Sequence, residues 1–299
     1  MKNNRLGQSE IFVSQVSMGG MSLKNDLETS SKIIHQAIDL GINFFDTADL
    51  YERGKNEELF GYALAEKRSK VIIATKVGNE WNEDGTSWRW NPSKKYILSA
   101  VEKSLKRLKT DYIDLYQLHG GTIDDPIDET IEAFEILKTQ GKIRAYGISS
   151  IRPNVIRAFC QKSKIASVMM QYSLLDRRPE ETCLNLLKSN GISVITRGTL
   201  GKGLLAGKKA KTYLGHSEEE VKNAANAIKN IADKNNNPTS LTACQYVLQS
   251  ETVASAVIGF RTMEQLTSCV DGEEISNLEM KGFQKLQNSV VARQYENHR

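Results

Sequence analysis

Short apolar strands alternate with amphipathic helices along most of this 299-residue chain, and no other feature of the sequence constrains the fold as strongly. Eight strands are predicted, at Val16–Met21, Ile42–Phe45, Val71–Lys76, Tyr112–His119, Ile143–Ile148, Ser167–Gln171, Ile192–Thr196 and Val253–Ile258. Helices are predicted at Glu28–Leu40, Asn56–Leu64, Ser93–Leu108, Asp128–Gln140, after Pro153, at Pro179–Asn190, Glu218–Lys234 and Thr239–Ser250, and from Met263 onward. The β–α units repeat roughly every 30 residues, which favours a closed parallel barrel over short solenoid repeats. We therefore predict an α/β fold, a (β/α)8 TIM barrel forming one domain over residues 1–299.

The two ends of the chain lie outside this alternation. Leu6–Ser14 contains a glycine turn flanked by alternating residues, which predicts an N-terminal β-hairpin that plugs the bottom of the barrel. After about Val270 we expect a helical extension and a tail, with no identifiable chemistry.

Composition excludes several classes of protein. The net charge of +4 comes from lysines and arginines interleaved with acids, which argues against a nucleic-acid partner. The apolar runs are shorter than the roughly 18 residues of a membrane helix, and no signal peptide follows Met1, so we expect a soluble, cytoplasmic protein. The cysteines lack CxxC spacing and fall in helix-like segments, so we expect buried reduced thiols, without disulfide or metal, at Cys160, Cys183, Cys244 and Cys269.

Chemically active side chains follow three successive strands. Asp46, Lys76 and His119 stand at the ends of their strands, and Tyr51 lies one short loop after Asp46. Taken singly, Asp46 is more typical of a helix cap or turn, and Tyr51 of a half-buried surface aromatic. Because a parallel barrel places its active site at the carboxyl ends of its strands, a carboxylate, an ammonium and an imidazole delivered there together indicate a catalytic site.

In these residues the chain resembles the aldo-keto reductase family, whose catalytic Asp, Tyr, Lys and His occur in this order. The resemblance implies that Asp46, Tyr51, Lys76 and His119 are catalytic. Tyr51 would give a proton to the substrate oxygen, helped by the Lys76 ammonium that Asp46 holds in place. His119 would orient the same oxygen by donating a hydrogen bond.

A cofactor site of Rossmann type is unsupported because no strand is followed by GxGxxG. The resemblance instead implies NADPH, with the nicotinamide across the barrel mouth and its carboxamide held by Ser149, Ser150 and Gln171. Ser150 stands where the family usually has asparagine. Gly19, Gly20 and Met21 end the first strand, where paired glycines would let a cofactor ring approach, although a plain turn is the alternative.

Two further segments match the family's cofactor contacts. After the seventh strand, Arg197 replaces the aromatic residue that usually stacks on the nicotinamide, and it is followed by Gly198, Leu200 and Lys202. Gly201–Lys208 resembles a loop that closes over a pyrophosphate. Near the chain end, the resemblance assigns the adenosine 2′-phosphate to Arg261 and Gln265. Ser268 and Cys269 stand where the family often has an acid-and-amide pair over the adenine.

A long insertion over residues 78–92 follows the Lys76 strand and contains all three tryptophans of the chain, Trp81, Trp88 and Trp90. Such a loop can cover a pocket. Alternatively, the indoles anchor the loop to the rim of the barrel.

The leading function is NADPH-dependent, reversible reduction of a small-molecule aldehyde or ketone. A regulatory subunit that senses the nucleotide is the alternative, because folds do not determine functions. A Schiff-base aldolase with Lys76 as nucleophile is disfavoured, because Asp46 would keep the lysine protonated. The sequence indicates neither the substrate nor the oligomeric state.

Overall fold

In the computed structural model, which describes residues 1–24 and 26–299, eight parallel strands close into a barrel with helices between consecutive strands. An antiparallel hairpin precedes the barrel, formed by β1 (Asn3–Arg5) and β2 (Phe12–Ser14). The first half of the barrel then runs as β3 (Val16–Gly19), α1 (Leu27–Asp39), β4 (Phe44–Asp46), α2 (Lys55–Ala63), β5 (Ile72–Val77), β6 (Asn79–Trp81), β7 (Trp88–Trp90), α3 (Lys94–Leu108), β8 (Ile113–Leu118), α4 (Ile127–Thr139) and β9 (Ile143–Ser149).

The second half runs as α5 (Pro153–Lys162), β10 (Ser167–Gln171), α6 (Cys183–Ser189), β11 (Ser193–Arg197), α7 (Glu218–Lys234), α8 (Thr239–Leu248), β12 (Val253–Ile258), α9 (Met263–Thr267) and α10 (Met280–Asn288). The barrel closes where β12 pairs with β3. The predicted (β/α)8 barrel with its N-terminal hairpin is therefore confirmed.

Two layers of apolar side chains form the core, because successive residues of a strand point to opposite faces. One layer fills the barrel interior with residues such as Phe44, Leu115 and Ile195, and Leu6 and Val13 of the hairpin region pack against it. The hairpin thus closes the barrel bottom, as predicted. The other layer lies between the outer face of the barrel and the helices.

Local structure differs from the sequence predictions in four places. The predicted strand Val16–Met21 ends at Gly19, because Gly20–Ser22 form a 3-10 turn. Residues 78–92 contain a second antiparallel hairpin, β6–β7, in which Trp81 pairs with Trp88. The segment Gly201–Lys208 is not an extended loop, since Gly201–Ala206 forms a 3-10 turn. The helix predicted over Pro179–Asn190 begins later, at Cys183, because a separate 3-10 turn at Arg178–Glu180 takes up its first residues.

The C-terminal tail packs against the upper rim of the barrel. The Tyr295 side chain is buried, and its backbone N–H donates to Glu181 at 3.2 Å. Arg293 donates to the Gly215 carbonyl at 3.0 Å, and Asn154 N–H donates to the His298 carbonyl at 2.9 Å. None of the helices in the described part of the chain is long and apolar enough to cross a membrane.

The four cysteines are free thiols in the described structure, and Cys183, Cys244 and Cys269 are buried. Cys269 lies in the turn after α9, so the expectation that every cysteine falls in a helix is wrong for this residue.

Candidate active site

The four predicted catalytic residues lie together at one end of the barrel. Asp46 is the last residue of β4, Lys76 lies near the end of β5, and His119 directly follows β8. These three strands are consecutive neighbours in the parallel barrel, so their carboxyl ends meet. Tyr51 opens the 3-10 turn Tyr51–Gly54 that follows β4.

Lys76 and Asp46 form a buried ion pair. Lys76 Nζ donates to Asp46 Oδ2 at 2.7 Å and to the Thr47 carbonyl at 2.8 Å. Only 1% of Lys76 and 4% of Asp46 is exposed. Gln117 Nε2 donates to the second Asp46 oxygen at 3.4 Å, so the carboxylate is held from both sides. A charge buried this deeply is tolerated only when it is paired, which fixes the ammonium in one place.

The electrostatic environment keeps a proton on the lysine. Burial raises the pKa of the Asp46 carboxyl above its ordinary value, although the Lys76 ammonium acts in the opposite direction. Burial alone would lower the pKa of Lys76, but the charge of Asp46 and the proximity of Tyr51 outweigh it and leave this pKa above its ordinary value. An ammonium held in this way is a hydrogen-bond donor and a poor nucleophile.

Tyr51 and His119 lie on the outer side of this ion pair. Lys76 Nζ donates to the Tyr51 hydroxyl at 3.5 Å, a long bond. The Tyr51 and His119 rings meet edge to face, with centroids 5.8 Å apart and an interplanar angle of 84°. The phenol hydroxyl therefore lies beside a fixed positive charge.

His119 is a neutral imidazole in the folded protein. Burial, followed by the positive charges of Lys76 and Arg197, lowers its pKa to about 3. Its Nδ1 atom is buried without a hydrogen-bond partner among the described residues. The tautomer with hydrogen on Nε2 leaves no buried donor without an acceptor, so Nε2–H is the group free to donate.

A buried acidic layer behind the ion pair was not predicted from the sequence. Glu57 is fully buried, and it accepts from Thr75 Oγ1 at 2.5 Å and from Arg107 Nε at 2.6 Å. Asp49 is buried beside it, and burial together with the Glu57 charge raises the Asp49 pKa well above its ordinary value. One signal was present in the sequence, because Glu57 lies on the same helical face as Phe60 and Leu64.

The paired glycines at the end of β3 are required by packing. A Cβ added to Gly20 would lie 2.3 Å from Asn56 Oδ1 and 2.4 Å from Phe60 Cε2. Asn56 itself connects two loops, since it donates to the Gly20 carbonyl at 2.9 Å and accepts from Thr47 Oγ1 at 2.6 Å. Met21, which follows, is 72% exposed.

The predicted nicotinamide contacts lie at the ends of β9, β10 and β11. Gln171 Oε1 accepts from Arg197 Nη1 at 3.1 Å, and Gln171 Nε2 donates to the Tyr213 hydroxyl at 3.4 Å. The contact with Tyr213 was not predicted, and no local pattern marks it because the two residues are 42 positions apart. Ser149 ends β9, and the buried Ser150 accepts from Arg152 N–H at 3.1 Å. Gly198 has φ of 72°, in the left-handed region that favours glycine.

The predicted phosphate contacts are more exposed. Leu200 and Lys202 belong to the turn after β11, where Lys202 adopts φ of 59°. Arg261 and Gln265 meet at the start of α9, with Arg261 N–H donating to Gln265 Oε1 at 2.9 Å. Ser268 is exposed and Cys269 is buried, so the two predicted adenine residues differ in accessibility.

This set of residues fits a nicotinamide dinucleotide. The amide of Gln171 and the hydroxyl of Ser149 suit a carboxamide, and Arg197, Lys202 and Arg261 suit phosphates or a ring face. Arg197 also lies close enough to act electrostatically on both groups, contributing to the lowered pKa of His119 and opposing the effect of burial on the pKa of Asp46. The predicted cofactor side and the predicted catalytic side therefore share one barrel mouth.

Comparison with known proteins identifies one family and several similar oxidoreductases. The model of the Aldo/keto reductase family matches residues 15–290. The chain is 48% identical over 309 aligned residues to the uncharacterized oxidoreductase YqkF of Bacillus subtilis, with 100% of both proteins covered. It is 34% identical to the NADH-specific methylglyoxal reductase of Escherichia coli, with 72% of each covered.

Two solved structures of similar proteins also superpose on this chain. The holo form of aldo-keto reductase AKR11C1 from Bacillus halodurans superposes with a TM-score of 0.93 and is 46% identical in sequence, covering 100% of this chain and 99% of the other. The glycerol dehydrogenase AKR11B4 of Gluconobacter oxydans superposes with a TM-score of 0.87 at 27% identity, covering 96% and 94%.

Proposed function

The chain belongs to the aldo/keto reductase family of oxidoreductases, and on that premise we propose that it catalyses the reversible, NADPH-dependent reduction of aldehydes or ketones to alcohols. One observation carries the proposal. A single buried ammonium, Lys76 Nζ, lies 2.7 Å from Asp46 Oδ2 and 3.5 Å from the Tyr51 hydroxyl, and the His119 ring stands against Tyr51.

The proposed roles follow from this geometry. The bound nicotinamide supplies the hydride that reaches the carbonyl carbon. Tyr51 gives its hydroxyl proton to the carbonyl oxygen, and the phenolate that remains is stabilised by the Lys76 ammonium until it regains a proton. His119 donates from Nε2–H to the same oxygen and orients it. In alcohol oxidation each residue acts in the reverse direction.

Asp46 acts through Lys76. The carboxylate compensates the buried positive charge, so the ammonium stays protonated while it assists Tyr51. The same contact argues against the aldolase mechanism, because a Schiff base requires a neutral amine.

The preference for NADPH over NADH rests on Arg261 and is a proposal separate from the chemistry. A guanidinium can form paired, charge-assisted hydrogen bonds with a 2′-phosphate, whereas NADH has only a hydroxyl there. Relatives named as NADH-specific and as NADP(+)-dependent both occur among the matching proteins.

Steady-state oxidation of reduced cofactor tests the proposal. The purified protein is mixed with NADPH or NADH and a panel of aldehydes and ketones, and a mixture without carbonyl compound is the control. We expect carbonyl-dependent oxidation of NADPH and formation of the alcohol in equal amount. Tight NADPH binding without turnover of any carbonyl compound would instead favour the regulatory subunit.

A further inference from the structure

The β6–β7 hairpin lies across the barrel mouth and connects the His119 loop with the Tyr51 loop. At one end, Trp90 packs on the glycines that follow His119, since a Cβ on Gly120 would lie 3.5 Å from its ring. The Trp90 indole also donates to both Asp125 oxygens at 3.0 Å, so this tryptophan anchors the hairpin to the rim.

The other end of the hairpin reaches the turn that carries Tyr51. The Arg53 guanidinium lies over the Trp81 ring, 5.6 Å from its centroid. A Cβ on Gly85, at the tip of the hairpin, would lie 2.9 Å from Arg53 Nη1. Because Trp81 pairs with Trp88 across the strands, both indoles project from the same face.

An open cleft of about 630 Å³ lies under this end of the hairpin, lined by Leu50, Glu52, Arg53, Lys55, Trp81 and Trp88. Leu50 and Glu52 immediately precede and follow Tyr51 in the chain. The cleft therefore lies next to the turn that carries Tyr51.

The polar groups of the cleft lack partners of their own. The charged side chains of its lining are Glu52, Arg53 and Lys55, and Arg53 stacks on Trp81 but has no ion-pair partner among the described residues. Trp81 Nε1 is buried without a hydrogen-bond acceptor. The nearby Asp84 carboxylate accepts from Thr86 N–H and Thr86 Oγ1 at 2.9 Å each, and it also interacts with the charge of Arg53. The two cations outnumber the single carboxylate of Glu52 in the lining, and together with the buried indole N–H they suit a ligand with an acceptor-rich end.

Backbone strain supports a functional role for Arg53. Glu52 and Arg53 have φ values of 48° and 57°, a region that non-glycine residues rarely occupy. Such conformations persist where the surrounding structure holds them. Here the turn places the exposed guanidinium over the Trp81 ring.

We infer that this cleft is the outer substrate subsite, and that it selects carbonyl compounds with a flat apolar body and an anionic group at the far end. The indoles of Trp81 and Trp88 contact the body, and Arg53 with Lys55 binds a carboxylate or phosphate. The inference rests on the proposed reductase function, whose carbonyl group it places at Tyr51.

A matched pair of substrates tests the selectivity. The ratio of kcat/KM for 4-carboxybenzaldehyde to that for the neutral 4-formylbenzamide is measured in the wild type and in Arg53→Met, Lys55→Met and, as the control at the barrel bottom, Lys70→Met. We expect the wild type to prefer the acid and Arg53→Met to lower the ratio about three- to tenfold, since both cations are exposed. Added salt should lower the wild-type ratio, and Lys70→Met should leave it unchanged.

A binding measurement separates this inference from the reductase proposal. Terephthalate, which has no carbonyl group to reduce, should quench indole fluorescence in the wild type and quench it much less in Arg53→Met. Equal kcat/KM for acid and amide, or equal quenching in both proteins, would overturn the subsite and leave the reductase function intact. Loss of quenching in Arg53→Met, in a protein that reduces no carbonyl compound, would support the anion site and overturn the reductase.

Discussion

Polar side chains are buried on one side of the barrel mouth and exposed on the other. On the side of β4, β5 and β8 the ion pair is almost fully buried, with 1% of Lys76 and 4% of Asp46 exposed. On the side of β11 and α9 the guanidinium groups of Arg197 and Arg261 are exposed. The difference corresponds to two tasks, since a proton donor needs a fixed and dry environment whereas a large ligand needs accessible groups that exchange partners on binding.

This contrast predicts different consequences of substitution. Removing a buried charge leaves its partner uncompensated, which affects the rate and the stability together. Removing an exposed cation affects ligand binding and little else, because exposed ion pairs contribute roughly 0–1 kcal/mol to stability.

Tyr51→Phe should produce the largest effect. One oxygen supplies the proton, so kcat should fall about 10²- to 10⁴-fold while the dissociation constant of NADPH stays near that of the wild type. Rapid kinetics and cofactor fluorescence measure the two quantities. Tyr62→Phe, at a tyrosine that is 56% exposed, is the matched control. Retention of a tenth of the wild-type rate would show that Tyr51 is not the proton donor.

Lys76→Met should reduce kcat comparably and also lower the free energy of unfolding by about 3–5 kcal/mol, because Asp46 loses its buried partner. Denaturant unfolding measures the second effect. The double variant Asp46→Asn/Lys76→Met removes both charges and should recover much of the stability but none of the activity. Full activity in Lys76→Met would contradict the role of the ammonium.

Arg261→Ala should act on cofactor binding alone. Charge-assisted hydrogen bonds are worth roughly 1.5–3 kcal/mol, so NADPH should bind about ten- to a hundredfold more weakly while NADH is hardly affected. Fluorescence titration of both cofactors, with Arg5→Ala at the barrel bottom as control, makes the comparison. Equal losses for the two cofactors would remove Arg261 from the 2′-phosphate site.

The neutral imidazole of His119 should contribute to the acid sensitivity of the fold. Its pKa is about 3 in the folded protein against 6.5 ordinarily, so the unfolded chain binds the extra proton first. Stability from this residue is therefore complete above pH 6.5 and is lost as the pH falls toward 3.

The slope is at most about 1.4 kcal/mol per pH unit. The free energies of unfolding of the wild type and of His119→Asn are measured at several pH values from neutral downward. The value for the wild type minus the value for the variant should decrease steadily as the pH falls. A difference independent of pH would mean that folding leaves the His119 pKa at its ordinary value.

Local sequence patterns predicted the strands and the residues at their ends. Asp46, Lys76 and His119 follow apolar runs, and a parallel barrel gathers strand ends whatever the rest of the chain does. Gln117, Asp49 and Tyr213 were missed, because their importance comes from contacts with residues distant in the chain. Gln117, for instance, reaches Asp46 across 71 positions.

The insertion after β5 likewise has features that the sequence predicted and others that it did not. Its three tryptophans predicted either a cover over a pocket or anchors to the rim, and the structure distinguishes Trp90, bonded to Asp125, from Trp81, stacked against Arg53. Nothing in the local sequence separates these indoles, since their environments depend on which loops lie opposite.

By itself, the sequence determined the alternation of strands and helices, the N-terminal hairpin and the order of the polar strand-end residues, because these depend on propensity and spacing along the chain. Only the tertiary structure decided which side chains are buried away from water, which cations lack an ion-pair partner and whether His119 carries an extra proton. Burial and electrostatic environment are sums over residues from every part of the chain, so they exist only once the barrel has closed.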